Sequence, residues 1–177
     1  MNTKKLPKVA ISQCLLGDQV RYDGTDSASS DIIQYAGSHF NVIPFCPEVS
    51  AGMGTPRLPI NLSVVNGEHR ARRVNDATVD VTQALKTIAQ TFIRSNSDIV
   101  AIINKKSSPS CGHLTTKLYD DSVLVSHSAS GIFVTEILKL KPEILFIDDE
   151  QFMQAEKRAD FLSGIKKALQ EQGFSWK

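Results

Sequence analysis

The sequence is short of every feature that would assign it to a membrane, a secreted scaffold or a nucleic acid. Its 20 lysines and arginines are matched by 19 aspartates and glutamates, so the formal net charge is +1. No field of one sign draws in nucleic acid or an anionic bilayer, and an RNA-sized partner would have to use a local patch. No apolar run approaches the roughly 20 residues that span a bilayer. The first apolar stretch, residues 9–11, is too short for the core of a signal peptide. These absences predict a soluble, cytoplasmic protein. Cysteine is scarce as well. There are three, an odd number spread from position 14 to position 111, a poor disulfide framework in a compartment that is reducing anyway.

What is present is ordinary for one globular domain. The 177 residues are 41% apolar and 22% charged, enough for a single sizeable core. Strand-like and helix-like segments alternate. Residues 8–12 (KVAIS), 41–45 (NVIPF), 98–103 (DIVAII) and 143–147 (EILFI) read as short apolar strands. From Asp80, apolar residues recur at Val81, Leu85, Ile88 and Phe92, the spacing of one helix face. Asp80 with Gln83 predicts a capping box at its start. Further helices are expected over 27–37 and over 130–140, stopping before Pro142. A last amphipathic helix is expected from near Asp148, with Phe152, Ala159, Leu162, Ile165 and Leu169 on one side. Residues 123–125 read as an extra strand or an extended loop. The run 68–73 (EHRARR) reads as a solvated face.

Short apolar strands alternating with helices predict a layered α/β domain around a mostly parallel sheet. Cys14, Cys46 and Cys111 each fall at or beyond the carboxyl end of a different expected strand. In open α/β sheets ligands bind outside those ends. Three cysteines distant in sequence are thereby brought to one edge.

The segments around them are unlike plain scaffold. They read CLLGDQVRYDG from Cys14, CPEVSAGMGTPR from Cys46, and KKSSPSCGH from Lys105. Such density of Gly and Pro commits a loop to positioning something. Any one cysteine could be buried filler, but three in such loops point to a shared site. A three-thiolate set is consistent with an iron–sulfur cluster that keeps one iron open. Zinc with His113 as a fourth ligand, or Cys111 as a lone nucleophile, satisfies the spacing equally well.

The three motifs, CLLG-x-x-VRYDG, CPE followed by a glycine-rich stretch and TPR, and SPSCG, resemble in order and spacing those of the TudS-like thiouracil desulfidases. The likeness runs from about residue 8 to residue 146. It departs at Ala51-Gly-Met, where the family more often has Gly-Gly-Leu. The resemblance implies a Rossmann-like domain, expected over 1–147; the tail is less familiar in the family, and its apolar spacing predicts over 148–177 a C-terminal amphipathic helix packed on or extending that domain. The resemblance also implies a [4Fe–4S] cluster held by Cys14, Cys46 and Cys111, whose spare iron takes the sulfur of a thiolated pyrimidine. The products would be uracil and hydrogen sulfide, without redox change. Glu48 would be the catalytic base, with Ser110 or Ser108 relaying protons. Tyr22, Asp23 and Arg57 would shape the substrate pocket. The helical second domain fused to tRNA-directed relatives is not seen, which favours a free base or nucleoside over tRNA, in a monomer or homodimer. A cluster or zinc module that senses or braces without turnover is the alternative.

Overall fold

The computed structural model describes residues 6–176; residues 1–5, which precede the first apolar stretch, and Lys177 lie outside them. Four strands form a fully parallel sheet, β1 (Lys8–Ser12), β2 (Asn41–Phe45), β5 (Ala101–Asn104) and β8 (Leu145–Asp148), in the order β2-β1-β5-β8. These are the four strands expected from apolar runs. The central strands β1 and β5 are buried on both faces and show little alternation, whereas the edge strand β2 is half open. Pro44 lies in β2, an edge strand, where its missing N–H costs no ladder bond.

Helices cover both faces. On one, α1 (Ser30–His39), α5 (Asp149–Met153) and α6 (Ala155–Glu171) pack through Ile32, Phe152, Phe161, Ile165 and Leu169 onto Val9, Ile11 and Ile103. On the other, α3 (Thr82–Ser95) and α4 (Ile132–Leu140) pack through Ala89, Phe133, Val134 and Ile137 onto Ala10 and Ile102. The chain leaves β1 toward one edge and β5 toward the other, so the strand order reverses between them. That reversal opens a crevice at their carboxyl ends.

A second sheet departs from expectation. Strands β3 (Ile60–Val65), β4 (Glu68–Arg73), β6 (Thr116–Asp120) and β7 (Val123–Ala129) stand in the order β4-β3-β6-β7, with only β3 and β6 parallel. The basic run 68–73 is an edge strand whose Ala71 is buried against Leu62 and Leu85 while its arginines remain half-buried. Residues 123–125 open the other edge strand, β7. Neither edge strand shows a period-two pattern: β4 buries Ala71 alone, and Val123, Leu124 and Val125 of β7 are all exposed.

Helix boundaries also shift. No capping box forms at α3. Asp80 accepts from the Thr82 amide at 2.8 Å, and the Thr82 hydroxyl turns back to accept from the Ala71 amide at 2.8 Å. The helix begins at Thr82 with Val81 in the cap position, one residue later than an Asp80 cap requires. The final helix breaks at Gln154 into α5 and α6, with the capping box at Asp148 and Gln151 instead. The break resets the helical phase, so Phe161 is buried and Ala159 exposed. Among the described residues no helix is long and apolar enough to cross a membrane.

Candidate active site

The crevice holds a cavity of about 260 Å³, a little below the roughly 300–1,000 Å³ usual for drug-sized ligands. Cys14, Cys46, Cys111, Glu48, Ser108, Ser110, Tyr22 and Arg57 all line it. Each of the three sequence motifs contributes a wall.

The first wall leaves β1 in a tight turn (Gln13–Leu16) that buries Cys14 and Leu15. The chain then folds back, with the Ser27 amide donating to the Cys14 carbonyl at 2.8 Å. Tyr22 stands at the mouth, 45% exposed. Its carbonyl accepts from the Arg57 amide at 2.8 Å, tying the first wall to the second. Asp23 is the one expected site residue outside the cavity. Its carboxylate accepts from the Thr25 hydroxyl at 2.6 Å and the Thr25 amide at 3.1 Å. It closes an exposed turn, the commonest task of an aspartate before Gly.

The second wall begins with Cys46, the residue before the short helix α2 (Pro47–Ser50), where its side chain makes no capping bond. Glu48, in its first turn, is buried. Oε2 accepts from Arg57 Nε at 2.7 Å, and Oε1 accepts from the Ser110 hydroxyl at 2.7 Å. Arg57 Nη1 in turn donates to the Gly54 carbonyl at 2.9 Å. Each carboxylate oxygen therefore has a fixed direction.

The third wall follows β5. Ser108 and Ser110 hydroxyls lie 3.1 Å apart, and Ser108 Oγ accepts from the Cys111 amide at 3.2 Å. The loop also serves α4. With no side-chain cap there, the Ile132 and Phe133 amides donate to the Pro109 and Ser110 carbonyls at 3.2 and 3.1 Å. Gly131 is needed at that junction, because a Cβ would collide with the Ser110 carbonyl. Loop and helix thus hold one another in place.

All three cysteines are free thiols. Burial pushes Cys14 up to about 12, helped by the nearby Cys111 and Cys46 thiols and opposed by Lys105 and Arg21. Burial also raises Cys46, with Glu48 adding to it and Arg57 opposing. Burial raises Cys111, opposed by the neighbouring hydroxyl dipoles of Ser108 and Ser12. The thiols sense one another, yet among the described residues no three Cys, His, Asp or Glu side chains are grouped to hold a single metal ion. His113, the fourth ligand a zinc site would need, does not line the cavity. Its ring stacks on Phe146 at 4.6 Å, and burial lowers its pKa.

Residues not anticipated complete the lining. Arg21, Lys105 and Lys106 join Arg57 as cations around the thiols. Lys105 Nζ pairs with Asp149 at 2.5 Å, whose other oxygen accepts from the Lys106 amide at 2.8 Å, and Lys106 Nζ pairs with Glu150 at 2.6 Å. The first turn of α5 thereby holds the start of the third wall. Ser12, the last residue of β1, also faces the cavity. The lysines sit inside the third motif and could have been weighed with it; Ser12, Asp149 and Glu150 carry no motif signal.

Fold and site define a doubly wound α/β domain with three unpaired thiols gathered at its topological switch point. The chain belongs to the 2-thiouracil desulfurase family, whose model matches residues 9–150 and so spans all three motifs. It is 34% identical over 115 residues to the uncharacterized protein YbbK of Bacillus subtilis (strain 168), covering 59% of this chain and 72% of that one. The solved structure of the [4Fe–4S]-dependent thiouracil desulfidase TudS superposes with a TM-score of 0.65 at 26% identity, over 87% of this chain and 98% of that one.

Proposed function

We propose that the chain hydrolyses the C=S bond of a thiolated pyrimidine, thiouracil or a related base or nucleoside, at a [4Fe–4S] cluster held by Cys14, Cys46 and Cys111. The observation that carries this reading is the convergence of three thiols and one buried carboxylate on a single cavity. The donor set suits the group. Three thiols surround the space instead of meeting at one point, and the cations Lys105 and Arg21 oppose the charge that three thiolates would build up. When bound, the cluster supplies a soft Lewis acid that prefers thiocarbonyl sulfur to water oxygen and draws electrons from the C=S bond.

The chain's own groups handle water and protons. Glu48 accepts a proton from the water that attacks the ring carbon. Its orientation is held by Arg57 on one oxygen and Ser110 on the other. The Ser110 and Ser108 hydroxyls, 3.1 Å apart, form a path along which that proton returns to the substrate. Tyr22 at the mouth offers a ring face to a pyrimidine. Water adds its oxygen to the ring carbon, the C–S bond breaks, and uracil and hydrogen sulfide leave with no net oxidation or reduction.

The test is an anaerobic absorption spectrum of the purified or reconstituted protein, with iron and sulfide counted, before and after addition of 4-thiouracil. The expected result is a brown protein with about four irons per chain, loss of the thiouracil band and release of sulfide. A protein that refuses iron on reconstitution would sink the cluster. A brown protein inert toward 4-thiouracil, 2-thiouracil and their nucleosides would sink the reaction.

A further inference from the structure

Ser12 is 3% exposed, ends β1, and belongs to none of the motifs. Its hydroxyl has two partners. The Lys105 amide donates to Oγ at 3.1 Å, and Cys111 Sγ lies 3.5 Å away. An amide can only donate, so it occupies a lone pair of Oγ and leaves the serine proton free. The remaining partner is the Cys111 sulfur. Once that sulfur is a thiolate it has no proton of its own, and Ser12 must be the donor.

Ser108, the other hydroxyl near Cys111, is differently engaged. Ser110 commits its proton to Glu48, so Ser108 is the donor within the serine pair. Ser12 alone has no competing acceptor among the described residues. Lys105 is itself fixed, because Asp149 holds both its ammonium group and the following amide. The first turn of α5 thus holds the amide that orients the serine that faces the sulfur.

We infer that Ser12 is a positioning residue that donates an O–H···S hydrogen bond to Cys111 and withdraws electron density from that ligand. The inference rests on the cluster reading above. Hydrogen bonds to ligand sulfurs tune the metal, and they stabilise the state with more negative charge on sulfur. Ser12 therefore raises the reduction potential of the bound cluster. A serine that merely filled space would leave the potential unchanged.

The experiment uses wild type, Ser12→Ala and Ser12→Thr, each reconstituted anaerobically in H2O and in D2O. Iron and sulfide are counted first, then the midpoint of one-electron reduction and the Fe–S(Cys) bands in resonance Raman are recorded. The expected result is a more negative midpoint for Ser12→Ala, with Ser12→Thr restored toward wild type. The Fe–S(Cys) bands of wild type should shift in D2O, and part of that shift should be lost in Ser12→Ala. A loaded Ser12→Ala with the wild-type midpoint and isotope shift would overturn the role of Ser12 while leaving the cluster intact. If Ser12→Ala fails to load, wild type decides, and bands unmoved by D2O would overturn the hydrogen bond. Wild type that takes up no iron would overturn the cluster reading and this role with it.

Discussion

Replacing Arg57 with alanine would strand a carboxylate. The Glu48 and Arg57 side chains are 10% and 6% exposed, and their closest approach is 2.7 Å. Removing one partner of a buried pair costs about 3–5 kcal/mol, because the other charge is left without compensation. Water entering the cavity can reach Glu48 from one side, which favours the low end, about 3 kcal/mol. In a chain of this size each kcal/mol moves Tm by about 2–4 °C, so Arg57→Ala should lower it by about 6–12 °C. The measurement is thermal unfolding of the metal-free, reduced protein by circular dichroism. The double variant Arg57→Ala, Glu48→Gln removes the stranded charge as well, so its loss should fall short of the sum of the singles by about 1–3 kcal/mol. A drop under about 2 °C for Arg57→Ala, or strict additivity in the double variant, would refute the reasoning. Either would mean that Glu48 is solvated well enough to stand alone.

Glu48→Gln should keep its iron and lose turnover by about 10²–10⁴-fold, whereas Cys46→Ala should lose iron and turnover together. Iron analysis beside a sulfide-release assay separates the two, and full turnover in Glu48→Gln would remove Glu48 from the mechanism. In the metal-free protein, Cys14 ionises at about 12 against an ordinary 9.0, so near neutral pH its thiolate is about a thousandfold scarcer than that of a free cysteine. The folded pKa is the higher one, so alkylation should be slow at neutral pH and climb about tenfold per pH unit well beyond 9; mass spectrometry of iodoacetamide-treated apoprotein reads this, and rapid labelling at neutral pH would contradict it. Gly131→Ala puts a Cβ into the Ser110 carbonyl and should cut iron uptake by displacing the Cys111 loop. Gly37→Ala, in α1 with open space around the new Cβ, should load normally and be about 0.5–1 kcal/mol more stable.

The parallel sheet was legible in the chain because its central strands are buried on both faces and therefore appear as short apolar runs, and three of its four strands end where a cysteine-bearing loop begins. A loop at a carboxyl end has one place to go, so Cys14, Cys46, Cys111, Glu48, Ser108, Ser110, Tyr22 and Arg57 could be gathered on paper and are gathered in the cavity. The second sheet was not legible. Its edge strands carry arginines and serines and bury few apolar side chains, and their partners β3 and β6 are set by tertiary pairing. Asp23 lay in the right motif but was captured locally, where Thr25 sits two residues away. The phase of α6 followed a break that periodicity alone could not see. Above all, Ser12, Lys105 and Asp149 meet across separations of 93 and 44 residues. Sequence by itself determined which residue types could do chemistry and at which edge of the sheet they would stand. Only the tertiary structure decided which hydroxyl faces which sulfur and which carboxylate holds which cation, because those pairings arise from strands and helices that touch only after folding.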